Sequence, residues 1–266
     1  KYAVAMPSYV CTALLSAAEY TGASALICDV GPDFNLEDVP PPAAAAIVTH
    51  LFGKASRVPS GVPAIEDLAQ SIGGSTGREG VAAVASFYAT KLMTTGGEGG
   101  MILTDHADIA EFARERRAYD NRDAYVRRYN YKMTDIAAAV GRVQLAKLPQ
   151  WIARRREIAE AYSDGFRGLP LTLPDLQNHV CFRYVVLTER REDLASHLNR
   201  SGIEAKRPVF KPLHHYDLSG INAKLAPSYP QTDAAHQHAL SIPLNPAMPA
   251  ADITLVVDSV KQFFEA

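Results

Sequence analysis

The stretch Ser86-Phe87-Tyr88-Ala89-Thr90-Lys91 lies at the end of an apolar run, Val81 to Phe87, that predicts a buried strand. A lysine that follows such a strand is most often a surface residue with its aliphatic stem along apolar neighbours. Here the run Thr94-Thr95-Gly96-Gly97-Glu98-Gly99-Gly100 comes soon after, and glycine lets a backbone pass close to a ligand. Lys91 is therefore a candidate to form a Schiff base with an aldehyde cofactor, and Ser86 is a candidate to donate to a phosphate.

Upstream of this stretch, an acidic residue stands where another short strand ends. The segment Glu66-Asp67-Leu68-Ala69-Gln70 follows the apolar pair Ala64 and Ile65. A lone aspartate at such a place could do no more than cap the following turn. A functional Asp67 would keep a heteroaromatic nitrogen protonated by placing a negative charge against it. Gln70, three residues on along a helical turn, would face the same way and hydrogen-bond a ring substituent.

Short apolar runs alternate with helical stretches through the first half of the chain. The predicted strands are Tyr2 to Met6, Ala25 to Cys28, Ala45 to Thr49, Ala64 to Ile65, Val81 to Phe87 and Gly100 to Leu103. This alternation predicts an α/β fold with a mostly parallel sheet that is flanked by helices.

The pattern changes in the second half. Thr134 is predicted to cap a helix that runs to Leu145, and Pro149 is predicted to open a second, longer helix. Beyond it, a strand, a helix and a long amphipathic C-terminal helix indicate a smaller α+β unit. We expect three parts: a large cofactor-binding domain over residues 1–148, a connecting helix over 149–168 and a small C-terminal domain over 169–266.

A third segment, Asn130-Tyr131-Lys132-Met133, would alone indicate only an aromatic-rich helix entry. Taken together, in this order and spacing, the three segments resemble the E-D-x-A-Q, S-F-x-x-T-K and N-Y-R-M-like motifs of the DegT/DnrJ/EryC1/StrS family of sugar aminotransferases. The turn Gly97-Glu98-Gly99-Gly100 and the segment His50-Leu51-Phe52-Gly53 are similar to family segments too. The likeness runs from about Met6 to the C-terminus and implies the fold-type-I aminotransferase fold.

The resemblance implies that the cofactor is pyridoxal 5'-phosphate. By that likeness Lys91 is the catalytic residue, which links to the cofactor and later moves a proton between the substrate and cofactor carbons. Asp67 is implied to pair with the ring nitrogen, which makes the ring an electron sink. Gln70 is implied to bind the phenolic oxygen of the ring.

The resemblance also implies a homodimer with shared active sites. Ser86 would contact the cofactor phosphate, with Asn130 or Lys132 of a second subunit contributing there. Each site would then depend on its partner subunit.

The sequence departs from the family pattern in two places. Family members usually carry an upstream helix that begins Ser-Gly-Thr and binds the cofactor phosphate at its N-terminus. The chain begins at Lys1, so we expect either a shortened chain or a protein that naturally lacks this helix. Many relatives also stack an aromatic ring on the cofactor where this chain has Cys11, with Tyr9 close by. A cysteine could pack there as a small apolar residue, and the stacking role stays open.

The histidine pairs are the remaining candidates. His214 and His215 align with a family loop near the sugar substrate, so they are expected, with Tyr88, to line the substrate pocket. His214-His215 and the pair His236 and His238 also have the look of metal ligands. No cysteine or carboxylate completes a convincing set in the sequence, so no metal is expected. His236 and His238 are predicted to be histidines on a helix surface.

The bulk composition excludes several classes of protein. Lysine and arginine total 27 against 29 aspartate and glutamate residues, so no basic excess indicates a nucleic-acid partner. The three cysteines are too few and too scattered for a disulfide framework, which favours a reducing, cytoplasmic setting. No apolar run approaches the length of a membrane span, so no membrane partner is expected.

The expected activity is transfer of an amino group onto a nucleotide-linked keto sugar or a keto-cyclitol, with glutamate as the amino-acid donor. Such a reaction belongs to amino-sugar, polysaccharide or antibiotic biosynthesis. The alternative is a non-catalytic or regulatory homologue that has the same fold and lacks full cofactor binding, because a fold alone does not settle function.

Overall fold

A computed structural model describes residues 2–265, and its main feature is a seven-stranded sheet. The strands of the protein are Ala3–Pro7 (β1), Ser24–Cys28 (β2), Ala43–Thr49 (β3), Ala64–Asp67 (β4), Ala82–Ser86 (β5), Gly100–Leu103 (β6), Tyr184–Leu187 (β7), Ala223–Leu225 (β8) and Ala239–Ile242 (β9). The large sheet has the order β6-β5-β4-β3-β1-β2-β8. All neighbouring strands in it are parallel except β5 and β6. The expected α/β fold with a mostly parallel sheet is confirmed.

Within residues 2–265, six α-helices accompany the sheet. They are Ala13–Thr21 (α1), Ala107–Arg116 (α2), Asp135–Gly165 (α3), Arg191–Arg200 (α4), Pro230–His238 (α5) and Ala250–Glu265 (α6). None of the helices in residues 2–265 combines the length and the apolar character that crossing a membrane requires.

The prediction of two helices on either side of Pro149 was wrong, because α3 runs through this residue without a break. Proline removes one backbone hydrogen bond and crowds the carbonyl four residues before it. Leu148 and Ile152 are both buried against the large domain, on either side of the proline. Packing of this apolar face therefore outweighs the local preference for a helix start at Pro149.

The second half of the chain builds a two-stranded antiparallel sheet from β7 and β9, and its core includes apolar side chains of α3, α4 and α6. One short strand from this half, β8, instead pairs with β2 at the edge of the large sheet. The domain boundaries at residues 148 and 168 stay a prediction, and β8 shows that the chain returns to the large sheet beyond them.

The carboxyl ends of the parallel strands position the site. Thr49 at the end of β3 is in register with Asp67 at the end of β4, and Asp67 is in register with Val84 of β5. Side chains that leave these strands therefore meet at one edge of the sheet, where ligands bind in open α/β folds.

Candidate active site

A cavity of about 230 Å³ at this edge brings together four of the residues that the sequence singles out. Asp67 ends β4, Gln70 lies in the turn that follows it, and Lys91 comes after β5. Cys11, from the loop after β1, lines the same cavity. The fold thus gathers side chains from three distant segments around one space.

Asp67 lies deep in the protein but opens onto the cavity. Its Oδ1 accepts a hydrogen bond from the N–H of Ala69 at 2.8 Å. Burial raises the pKa of Asp67, while this hydrogen bond and the positive charge of Lys91 act in the opposite direction without cancelling the effect. A cation that enters the cavity, such as a protonated ring nitrogen, would stabilise the ionised carboxylate.

Gln70 presents one end of its side-chain amide to the cavity. Its Oε1 accepts a hydrogen bond from the N–H of Phe52 at 2.8 Å. The other end, the NH₂ group, has no recorded hydrogen bond among residues 2–265 and can only donate. Gln70 therefore suits an oxygen that accepts hydrogen bonds, such as a phenolate.

Lys91 stands between two cavities. Its backbone N–H closes a turn on the carbonyl of Tyr88 at 3.0 Å, and its Nζ lies 5.9 Å from the centre of the Phe182 ring. Besides the cavity that holds Asp67, Lys91 lines a neighbouring one of about 430 Å³ together with Arg183 and Lys206. Lys91 thus lines both cavities, one of which also holds the Asp67 carboxylate and the other Arg183 and the ion pair of Lys206 and Glu204.

A buried pair that the sequence did not indicate as part of the site, His50 and Glu66, supports the wall beside Asp67. His50 Nδ1 accepts from the N–H of Ser56 at 3.0 Å, so Nε2 carries the proton and donates to Glu66 Oε2 at 2.9 Å. Glu66 also accepts backbone N–H groups from one loop, at Gly77 (2.6 Å), Glu79 (2.8 Å) and Gly80 (2.7 Å). Burial lowers the pKa of His50. Burial acts to raise the pKa of Glu66, but its four hydrogen bonds outweigh that effect and lower it.

Of the two candidates for stacking on the cofactor, only Cys11 faces the cavity. Tyr9 is fully buried, its ring centre lies 5.8 Å from that of Phe34, and its hydroxyl donates to the carbonyl of Ala235 at 3.2 Å. The side chain of Tyr9 is therefore committed to the core.

Ser86 and Tyr88 lie apart from the cavity that holds Asp67. Ser86 ends β5, and its Oγ accepts a hydrogen bond from the N–H of Tyr88 at 3.4 Å. The Tyr88 side chain is exposed. Neither residue lines the Asp67 cavity, so the phosphate role of Ser86 and the substrate role of Tyr88 stay predictions.

Asn130 and Lys132 are exposed on the segment between α2 and α3 and line neither cavity of their own chain. Their predicted role concerns a second subunit and stays a prediction. His214 and His215 lie in a short 3-10 helix, Leu213–His215, outside the lining of the Lys91 cavity, whereas the next residue, Tyr216, lines it. Their expected role in the sugar pocket also stays a prediction.

The residues of the Asp67 cavity fit pyridoxal phosphate by the chemistry of their donor and acceptor groups. A carboxylate suits the ring nitrogen, the NH₂ group of Gln70 suits the phenolic oxygen, and the Lys91 amine suits the aldehyde. Because burial destabilises the ionised form of Asp67, a cationic partner would stabilise its carboxylate.

Comparison with known proteins identifies the family of this chain. A sequence profile of the DegT/DnrJ/EryC1/StrS aminotransferase family matches residues 1–261. The dTDP-3-amino-3,4,6-trideoxy-alpha-D-glucose transaminase of Streptomyces venezuelae is 30% identical over 98% of this chain and 76% of its own length. A DegT DnrJ EryC1 StrS aminotransferase from Brucella abortus has a similar crystal structure, with a TM-score of 0.90 at 26% identity, over 100% of this chain and 80% of that one.

The crystal structure of S. venezuelae DesV is similar as well, with a TM-score of 0.89 at 28% identity, over 100% of this chain and 79% of that one. These likenesses cover the whole described fold and confirm the fold-type-I architecture. The chain belongs to the DegT/DnrJ/EryC1/StrS family of aminotransferases, enzymes whose cofactor is pyridoxal 5'-phosphate.

Proposed function

We propose that this enzyme transfers the amino group of an amino-acid donor, glutamate, to a keto sugar carried on a nucleotide. The observation that carries the proposal is the shared cavity of Lys91, Asp67 and Gln70. Bound pyridoxal phosphate supplies an electron sink for negative charge on the carbon that bears the amino group. The S. venezuelae relative, which is named as a dTDP-sugar transaminase, supports the choice of acceptor.

Each of the three side chains has a separate role. Asp67 would pair with the ring nitrogen, and its carboxylate would keep that nitrogen protonated. Gln70 would donate its NH₂ group to the phenolic oxygen, while its Oε1 accepts from the N–H of Phe52. Lys91 would hold the cofactor through its aldehyde group, and its Nζ would act as the base that takes the proton from the donor α-carbon and as the acid that gives the proton back.

The side chains of the neighbouring cavity, which Lys91 also lines, favour an anionic substrate. Arg155 lies there but donates to the carbonyls of Cys181, Phe182 and Leu244, which makes it a structural link. The guanidinium of Arg183 has no recorded hydrogen bond within residues 2–265 and lies in the cavity that Lys91 also lines. An arginine in this position suits a carboxylate or a phosphate, because its fork of donors matches either anion. Glutamate and a nucleotide diphosphate both carry such groups.

A second subunit would complete the site. Asn130 and Lys132 are exposed on the segment that leads into α3, and Tyr131 between them is 71% exposed. Polar side chains beside a large exposed aromatic ring are typical of a subunit interface. We assign Asn130 or Lys132 of a second subunit, together with Ser86, to the cofactor phosphate.

The first test is an absorbance spectrum of the purified protein after addition of pyridoxal phosphate. We expect a visible band that borohydride fixes in the parent protein and that Lys91→Ala lacks. The matched control is Lys211→Ala, because Lys211 lines the same cavity and should leave the band unchanged. A band that survives in Lys91→Ala would place the covalent link elsewhere.

The second test separates donor from acceptor. Glutamate should bleach the band, and mass spectrometry should then detect amination of a dTDP-linked keto sugar but not of the free sugar. Failure of the band to form even with excess cofactor would favour the regulatory alternative. A normal band with no amination of any nucleotide-linked sugar would leave the cofactor site intact and overturn the proposed acceptor.

A further inference from the structure

Folding supplies the carboxylate that the histidine pair lacks in the sequence. His214 and His215 direct their Nε2 atoms at Oδ1 of Asp233, at 3.1 Å and 3.0 Å. One ligand atom from each of the three residues lies within 4.8 Å of the other two. Asp233 comes from the first turn of α5, so the cluster joins two separate elements.

The histidine side of the cluster is fixed by Ser8, which is fully buried at the end of β1. The Ser8 carbonyl accepts from the N–H of Leu213 at 2.8 Å, and Ser8 Oγ lies 2.7 Å from His214 Nδ1. The His214 ring also stacks on Tyr229, with 3.9 Å between ring centres. These contacts hold the ring of His214 with its Nε2 atom toward Asp233.

The carboxylate side is fixed by Asp29, in the loop after β2. Asp29 Oδ1 accepts from the backbone N–H of Thr232 at 2.8 Å and from its hydroxyl at 2.7 Å. Asp29 Oδ2 accepts from the N–H of Gln231 at 3.0 Å. The first turn of α5 is therefore tied to the large sheet, and Asp233 is held in place independently of the histidines.

We propose that His214, His215 and Asp233 bind a zinc ion. Two imidazole nitrogens and one carboxylate oxygen form a known type of zinc ligand set, with a fourth position left for water. At zinc–ligand distances of about 2.0–2.2 Å, neighbouring ligand atoms of a tetrahedral site lie about 3.3 to 3.5 Å apart. The two distances from the histidines to Asp233 therefore need to lengthen by only a few tenths of an ångström. Ser8 Oγ can accept the proton of His214 Nδ1, which leaves Nε2 free for the metal, as zinc-bound histidines usually require.

The ion would fasten one wall of the active-site cavity. The segment from Pro208 to Tyr216 contributes five residues to the lining of the Lys91 cavity, and the two histidines stand next to Tyr216. Zinc would tie this segment to α5 and so restrict the mobility of the wall. The competing explanation is a hydrogen-bonded cluster with no metal, in which each Nε2–H donates to Asp233.

The test is a calorimetric titration of the full chain, loaded with pyridoxal phosphate, with ZnCl₂. We expect binding of one ion per chain, and a loss of affinity of at least about tenfold in Asp233→Asn and in His215→Ala. Asp233→Asn keeps the shape of the side chain and its hydrogen-bonding oxygen, so it tests ligation rather than packing. His238→Ala is the matched control, because His238 lies on the same helix outside the cluster.

A second measurement, thermal unfolding, distinguishes loss of zinc binding from poor folding of a variant. ZnCl₂ should raise the Tm of the parent protein and of His238→Ala but not of Asp233→Asn, whereas MgCl₂, which prefers oxygen ligands, should raise none. Equal zinc affinity in the parent and Asp233→Asn would overturn the proposal. Loss of binding in Cys11→Ser with full binding in His215→Ala would also overturn it and assign the ion to the thiol.

Discussion

Asp67 carries a charge that its own fold disfavours, since burial raises its pKa above the ordinary value of 3.8. In the window just above 3.8 the folded chain therefore binds more protons than the unfolded chain, and stability falls as pH rises through that window. Asp67→Asn keeps Oδ1 for the N–H of Ala69 and removes the charge. We expect this variant to raise the Tm of the cofactor-free protein at pH 7 and to lower kcat/KM by roughly 10²-fold or more.

Thermal unfolding of the cofactor-free protein at pH 7 and near pH 4 measures the first effect, and the gain in Tm should shrink at the lower pH. Steady-state kinetics measures the second. Asp29→Asn is a useful comparison, because hydrogen bonds from Thr232 and Gln231 stabilise its charge and the substitution should lower the Tm instead. If Asp67→Asn were less stable than the parent protein at pH 7, burial of the Asp67 charge would not be destabilising.

Single residues show what the sequence could and could not predict about the site. The meeting of Lys91, Asp67 and Gln70 in one cavity was predictable, because each lies at or just after the end of a strand and parallel strands bring their carboxyl ends together. The His50–Glu66 pair was not, because it joins the ends of different strands and depends on the loop that Glu66 holds. The meeting of His214 with Asp233 depends in the same way on how α5 is anchored.

Among the elements, α3 begins at a cap that the sequence predicts. Thr134 is extended and its Oγ1 accepts from the N–H of Ala137 at 3.2 Å. We expect Thr134→Ala to lower the free energy of unfolding by about 1 kcal/mol, because the first turn of the helix loses its side-chain acceptor. Urea denaturation measures the change, and Thr134→Ser, which keeps the hydroxyl, should remain close to the parent protein. A loss of similar size in both variants would show that the threonine methyl group, not the cap, stabilises this turn.

Elements were predictable where an apolar run had clear ends. The six strands from β1 to β6 lie within two residues of their predicted limits, because turns, glycines or prolines bound each run. Among the features that were missed, two have a clear physical reason. β8 has three residues, too few for a pattern, and pairing with β2 defines it. The helix α3 continues through Pro149 because its apolar face packs against the large domain. Local helix propensity does not indicate such tertiary packing.

For the whole molecule, three elements of the described chain carry more exposed apolar side chains than suit a monomer in water. Neither β6 nor α2 has a buried residue, and their large apolar side chains are open to solvent. The first half of α3 carries further exposed apolar side chains. The exposed side chains are Met101, Ile102, Leu103, Phe112, Ile136, Val140, Val143 and Leu145. Apolar patches of this extent mark protein–protein contact sites, which supports the proposed homodimer.

A charge among these side chains should therefore separate the subunits. Ile136 is 81% exposed in the single chain, so Ile136→Glu should leave the folded subunit intact and disrupt only the interface. We expect the parent protein to sediment as a dimer and the variant as a monomer with an unchanged circular dichroism spectrum. Because each site is proposed to use Asn130 or Lys132 of the other subunit, the variant should also bind pyridoxal phosphate more weakly. Leu255→Glu, at an exposed apolar position on α6, is the control and should stay dimeric with normal cofactor affinity. A monomeric parent, or a monomeric variant that binds the cofactor as well as the parent does, would contradict the shared site.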